Sequence, residues 1–204
     1  MKTLIHLMSV MSVIMCWSAG IASAAPQVLF EDTFTTADPA WGFDSGAQIK
    51  NGALVIKPNP TLAKNYLYQS DVFTDADISV TVSSPSTDAG AGAGIVFWGT
   101  DTDNYYMAVV HGDGTYGISR YVGNRWMSPA PAAVSASVNK GAGAKNKIRV
   151  VTTGSQATLY INDKQIVTIK GQPPVGGGAA GVFAESGDQP AVWTLVDFKV
   201  LALQ

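Results

Sequence analysis

Glutamate is scarce in this 204-residue chain: Glu31 and Glu185 are the only two, which bounds the acid–base chemistry available to it. Cleaving a glycosidic bond generally takes two carboxyl groups, one as acid and one as nucleophile or base across the bond. Glu31 falls in the first apolar segment and Glu185 precedes the loop-like Ser186-Gly187-Asp188, so each reads as a surface carboxylate. Aspartates could substitute, but none form an evident pair, and no catalytic residue is assigned. His111 lies in the turn-forming stretch His111-Gly112-Asp113-Gly114 and reads as a solvated turn residue. A Ser-His-Asp hydrolase would have to use it, yet no G-x-S-x-G turn is present. The single cysteine, Cys16, lies near the N-terminus, so neither a thiol nucleophile nor a cysteine-based zinc site is expected.

The aromatic residues suggest a non-covalent chemistry instead. A sugar ring presents an apolar C–H face that packs on an indole or phenol ring while polar neighbours bond its hydroxyls. Trp98, Tyr106, Tyr121 and Trp126, with Ser119 and Asn124 close in sequence, are the candidates for such a site. Trp41 and Trp193 read as core or edge cover.

Positioning these side chains is a task for strands. Segment 94–99 (GIVFWG) is apolar and bounded by glycines, which suits a strand with Ile95 and Phe97 on one face and Val96 and Trp98 on the other. Segments 105–110 and 115–121 flank residues 111–114, whose glycines and aspartate tolerate the positive φ of a tight hairpin. A symmetric register pairs Val110 with Thr115 and Tyr106 with Ser119. It sets Tyr106, Ala108, Val110, Thr115, Gly117, Ser119 and Tyr121 on one face, with Tyr105, Met107, Val109, Tyr116, Ile118 and Arg120 opposite. Neither face is plainly polar, so the hairpin belongs inside a larger sheet whose second face is only partly wet.

Further strands are expected at 28–34, 52–57 after the Asn51-Gly52 turn, 66–70, 77–83, 147–153, 156–161, 164–170, 178–184 and 191–203. Stretches 88–94, 129–137 and 141–144 are rich in glycine, proline or alanine and read as loops. No segment carries a helical apolar stripe, and about a dozen short strands indicate an all-β sandwich of two antiparallel layers.

Residues 1–24 have the form of an export signal: Lys2, an apolar stretch over 4–17, then Ala22-Ser23-Ala24 as the cleavage pattern. The apolar run is shorter than the roughly 20 residues of a spanning helix, so no membrane span is expected in the mature chain. That chain, 25–204, would form one domain in the periplasm or the medium. The net charge of −2, one unit more negative without Lys2, supplies no basic patch for a nucleic-acid partner.

Phe30-Glu31-Asp32-Thr33-Phe34, Asn51-Gly52, Gly94-Ile95-Val96-Phe97, Asn104-Tyr105-Tyr106, Asp113-Gly114-Thr115-Tyr116, Leu159-Tyr160-Ile161-Asn162-Asp163-Lys164 and Asp197-Phe198-Lys199-Val200 follow one another in order. In that order they resemble the concanavalin A-like lectin/glucanase jelly roll. The closest likeness is to the exported bacterial branch called domain of unknown function 1080, or 3-keto-disaccharide hydrolase. The resemblance spans nearly all of 25–204. It implies two large antiparallel sheets, one with a concave face that often receives sugars, and members that are catalysts, lectins or modules of other roles. The Glu-x-Asp-x-Glu strand of the glucanases is absent. The resemblance also implies a structural calcium ion tying the terminal strands, for which Glu31, Asp32 and Asp197 would be the ligands. Where related chains close with Asp-Asn, this one has Val196-Asp197. No other cofactor is implied.

The resulting expectation is an exported, non-catalytic carbohydrate-binding or carbohydrate-associated module that holds a glycan or oligosaccharide. One alternative is a glycosidase-like hydrolase resembling the 3-keto-disaccharide hydrolases. The other is an envelope module whose sheet face binds a protein.

Overall fold

A computed structural model describes residues 25–83, 85, 88 and 90–203; the export signal expected at 1–24 lies outside them. The first strands are β1 (Val28–Asp32), β2 (Ala47–Ile49), β3 (Leu54–Ile56), β4 (Ala63–Leu67) and β5 (Ala76–Ser83), with a 3-10 turn at Pro39–Trp41. The middle of the chain forms β6 (Gly92–Asp101), β7 (Asn104–His111), β8 (Thr115–Val122) and β9 (Arg125–Val134). The last strands are β10 (Lys145–Thr153), β11 (Gln156–Ile161), β12 (Lys164–Lys170), β13 (Ala179–Glu185) and β14 (Trp193–Ala202). They make two antiparallel sheets, ordered β12-β11-β10-β5-β14-β3-β2, with β1 also on β14, and β4-β13-β6-β7-β8-β9. This is the jelly-roll sandwich expected from the sequence.

The two sheets differ in what covers their outer faces. In β5, Ala76, Ile78, Val80 and Val82 are buried and alternate with the more accessible Asp77, Ser79 and Thr81, the pattern of a strand with one wet face. On that wet face Arg149 donates from Nε and Nη2 to both carboxylate oxygens of Asp77, each at 2.7 Å, and lies over the Tyr160 ring at 4.7 Å. The six-stranded sheet is apolar on both sides. Ile95, Phe97, Ala108, Val110 and Ile118 join the main core between the sheets. Val96, Leu67, Tyr105, Met107, Val109 and Phe183 form a second buried cluster on the outer side. These outer side chains are themselves almost wholly covered by their neighbours on the sheet.

Several local expectations are corrected. The β7–β8 hairpin pairs Val110 with Tyr116 and Tyr106 with Arg120, one residue away from the symmetric register. The turn contains three residues, 112–114, with Gly114 at φ 94° and its N–H donating to His111 O at 3.1 Å. Because side chains alternate, that one-residue step puts Ser119 and Tyr121 with Met107 and Tyr105, and sends Tyr106 inward. Alternation also fails at Trp98, whose φ of 50° lies in a register shift between Phe97 and Asp101 and turns its ring into the main core beside Phe97.

The stretch 129–137, expected as a loop, contributes residues 129–134 to β9, the edge strand. An edge strand needs few of its N–H groups, and the two register shifts against β8 fall at the steps that carry Pro129 and Pro131. Residues 92–94, also expected as a loop, begin β6. The short β2 had no signal in the sequence strong enough to register.

Candidate functional site

The outer face of the six-stranded sheet holds a groove of about 530 Å³ lined in part by Met107, His111, Ser119, Trp126 and Glu185. Small residues hollow it: Gly117, Ser119, Ser128 and Ala132 all line it where larger side chains would fill it. One end is polar. Glu185 ends β13, Gly92 begins β6 and His111 ends β7, and the register places the three side by side. A Cβ on Gly92 would lie 2.7 Å from His111 Cδ2 and 2.8 Å from Glu185 Oε1. With only hydrogen there, the two side chains reach across the intervening strand, and His111 Nε2 comes within 3.3 Å of Glu185 Oε1. The His111 side chain is 11 % exposed, which corrects the expectation of a solvated histidine, while Glu185, at 28 %, stays at the surface.

Behind His111, Nδ1 lies 3.0 Å from Thr115 Oγ1, which donates to Asp113 Oδ1 at 2.8 Å; the same oxygen accepts from Thr115 N at 2.9 Å. Burial alone would raise the Asp113 carboxyl. The two bonds from Thr115 and the charge of His111 outweigh it and hold Asp113 below the ordinary carboxylate range.

The other end of the face is aromatic. Tyr105 and Tyr121 are cross-strand partners, as are Tyr121 and Trp126. Ring centroids are 4.7 Å apart for Tyr121 and Trp126, and 6.2 Å for Tyr105 and Trp126. Trp126 is 53 % exposed, so much of its ring is free to meet a ligand. Asn124, in the turn after β8, accepts from Tyr121 Oη at 3.3 Å.

Of the six aromatic and polar candidates read from the sequence, Ser119, Tyr121 and Trp126 therefore share the outer face, with Asn124 at its rim. Trp98 and Tyr106 do not join them. Their rings meet edge to face at 5.2 Å and are almost wholly buried, while Tyr106 Oη accepts from Gln172 N at 3.0 Å. Tyr105 was not among the candidates, and His111 and Glu185 were weighed singly, without the contact that joins them. The signal that could have found the last two is Gly92, a glycine placed where a strand carries two polar groups toward each other. The three residues considered for calcium have separate engagements. Glu31 pairs with Lys199 at 2.8 Å, Asp32 accepts from Trp41 Nε1 at 2.8 Å, and Asp197 borders a different hollow beside Lys199 and Arg149. Among the described residues no three His, Cys, Asp or Glu side chains gather as a metal site.

A larger groove of about 730 Å³ lies at the β4 edge, lined in part by Trp41, Asp44, Asn65, Gln69 and Asp101. Asp44 accepts from Lys64 Nζ at 2.5 Å, Tyr66 Oη at 2.6 Å and Gly46 N at 2.8 Å. The Lys64 bond, then that of Tyr66, holds its carboxyl down at about 2, while burial and Asp44 push the Tyr66 phenol well up. A depressed carboxyl stabilises the fold above its unfolded value of about 4, and that contribution disappears as pH falls toward 2. Its side chain is half exposed, so acid unfolding of Asp44→Asn should differ from the parent by no more than about 1 kcal/mol above pH 4, and converge with it near pH 2. Denaturant titrations at both pH values measure this.

Architecture and groove define a two-sheet antiparallel jelly-roll sandwich with an open groove on the outer face of one sheet. The sequence model of the 3-keto-alpha-glucoside-1,2-lyase-like domain matches residues 25–191, and the chain belongs to that family. Solved structures of similar fold include the laminarinase catalytic domain from Thermotoga maritima, at TM-score 0.64 and 11 % identity, over 89 % of this chain and 100 % of that one. The carbohydrate-binding module CBM66 from Bacillus subtilis superposes at TM-score 0.60 and 12 % identity, over 73 % of this chain and 86 % of that one. The GH43 protein BlXynB from Bacillus licheniformis gives TM-score 0.65 and 14 % identity over 85 % of this chain but 39 % of its own. At these identities the likeness is one of fold alone. No curated protein matches the sequence. Among the described residues no helix is long and apolar enough to cross a membrane.

Proposed function

We propose that this chain is an exported saccharide-binding protein that holds an oligosaccharide along the outer face of its six-stranded sheet. The observation that carries this reading is the half-exposed Trp126, packed against Tyr121 and Tyr105 at one end of a groove whose other end is the His111–Glu185 pair. From Tyr105 to His111 a strand advances about 20 Å, enough for several sugar rings in a row. The aromatic end supplies a stacking surface, and His111, Glu185, Ser119 and Ser128 supply partners for hydroxyls. A glycan array followed by calorimetry tests it. Trp126→Ala should weaken binding about tenfold or more, while its unfolding free energy stays within about 0.5 kcal/mol of the parent. Absence of binding to every glycan would overturn the reading, and unchanged affinity in Trp126→Ala would overturn the platform.

A second reading is favoured by the His111–Glu185 contact. A 1,2-lyase acting on a 3-keto-α-glucoside must remove the C2 proton, which the neighbouring ketone acidifies. The C1–O electron pair then leaves with the aglycone oxygen, which takes up a proton as the C1=C2 bond forms. A base with a proton-accepting partner over C2 is what such a step needs, and the pair could serve as one. Release of an ultraviolet-absorbing enone from a 3-keto-α-glucoside, lost in Glu185→Gln, distinguishes this from binding alone.

A further inference from the structure

His111 has two nitrogens with different neighbours, and the neighbours decide which one carries a fixed hydrogen. Asp113, held ionised, can only accept, and its Oδ1 already receives the Thr115 backbone N–H and the Thr115 hydroxyl. A threonine hydroxyl has one hydrogen. Once it is committed to Asp113, only the lone pairs of Oγ1 face His111 Nδ1, 3.0 Å away, so Nδ1 must be the donor. Nε2, 3.3 Å from Glu185 Oε1, is then left without a fixed hydrogen.

We propose that Thr115 and Asp113 are positioning residues that hold His111 as its Nδ1–H form, leaving Nε2 as the nitrogen turned toward Glu185 and the groove. The proposal rests on the saccharide reading for its purpose and on the hydrogen-bond geometry for its content. Groups around the pair reinforce it. The groove wall about it is otherwise uncharged, formed by Thr61, Leu62, Ala63, Ser186 and the strand residues already named. The other charged side chains near this end are outside the groove lining: Asp113 reaches His111 through Thr115, Lys140 packs over Gly114, and Asp88 packs against Gly187. A sugar hydroxyl laid across the pair would therefore meet no other charged side chain of the groove lining.

Nitrogen-15 NMR of the histidines in the full chain reads the tautomer directly, with the His111 signal identified by its loss in His111→Gln. At a pH where the imidazole is neutral, the parent chain should show hydrogen on Nδ1. Thr115→Val, which keeps the shape and removes the hydroxyl, should move it to Nε2, and Thr115→Ser should restore the parental pattern. Hydrogen on Nε2 in the parent, or an unchanged tautomer in Thr115→Val, overturns the proposal. Because this readout needs no ligand, it separates the two claims: a parental tautomer as described, in a chain that binds no glycan, would leave the positioning role of Thr115 and Asp113 intact and discard only the groove's assigned purpose. Where a glycan is bound, Thr115→Val should weaken it about threefold to tenfold while the Trp126 contribution persists.

Discussion

Gly94→Ala is expected to destabilise the fold by about 3 kcal/mol, a large part of the total stability of an ordinary domain. Gly94 sits in β6 between Phe183 of β13 and Val109 of β7. An added Cβ would collide with the Ala108 carbonyl oxygen and approach Val109 Cα to 2.9 Å. Backbone atoms cannot swing aside as a side-chain tip can, so β6 and β7 would have to part in the middle of the sheet. Gly117→Ala is the matched control. Its Cβ would meet nothing closer than the Ala130 carbonyl oxygen at 3.5 Å, and it should cost less than about 1 kcal/mol. Denaturant midpoints of the two variants, with unchanged slopes, give the comparison. Equal midpoints would show that the sheet around Gly94 can relax.

Trp41→Ala should cost about 3–5 kcal/mol, the range for emptying a large aromatic site in a core. Its side chain is wholly buried and meets the rings of Phe30, Phe34, Phe43, Tyr68 and Phe198, with centroids between 5.1 and 6.1 Å. It also donates from Nε1 to Asp32 Oδ2, joining the 3-10 turn to the end of β1. Trp41→Phe separates the two contributions. It keeps most of the apolar contact and loses the hydrogen bond, so about 1–2 kcal/mol is expected. Because Trp41 also borders the larger groove, the alanine variant should loosen that edge while leaving the His111–Glu185 end intact. The His111 signal in the same NMR experiment checks the second part.

How much of this was legible follows from the kind of signal each feature leaves. The strand at 77–83 and the turn at Asn51-Gly52 leave local signals, and the structure has a strand and left-handed turn residues there. The burial of Trp41 and Trp193 was legible from residue type. The hairpin at 112–114 was legible as a hairpin but not in its register. A three-residue and a four-residue turn fit the same glycines, and the choice reverses every face. Strand β9 was hidden by its prolines, which an edge position tolerates. Trp98 was misplaced because its left-handed backbone breaks the alternation on which its face was inferred.

By itself the sequence determined the class of fold, since strand periodicity and turn chemistry act over a few residues and survive without knowledge of what packs where. It also carried the aromatic residues of the groove and the scarcity of glutamate. The pairing of His111 with Glu185, residues far apart in the chain, was decided only when β13, β6 and β7 lay side by side with Gly92 between them. That contact depends on register and on the absence of one Cβ, and neither quantity is local.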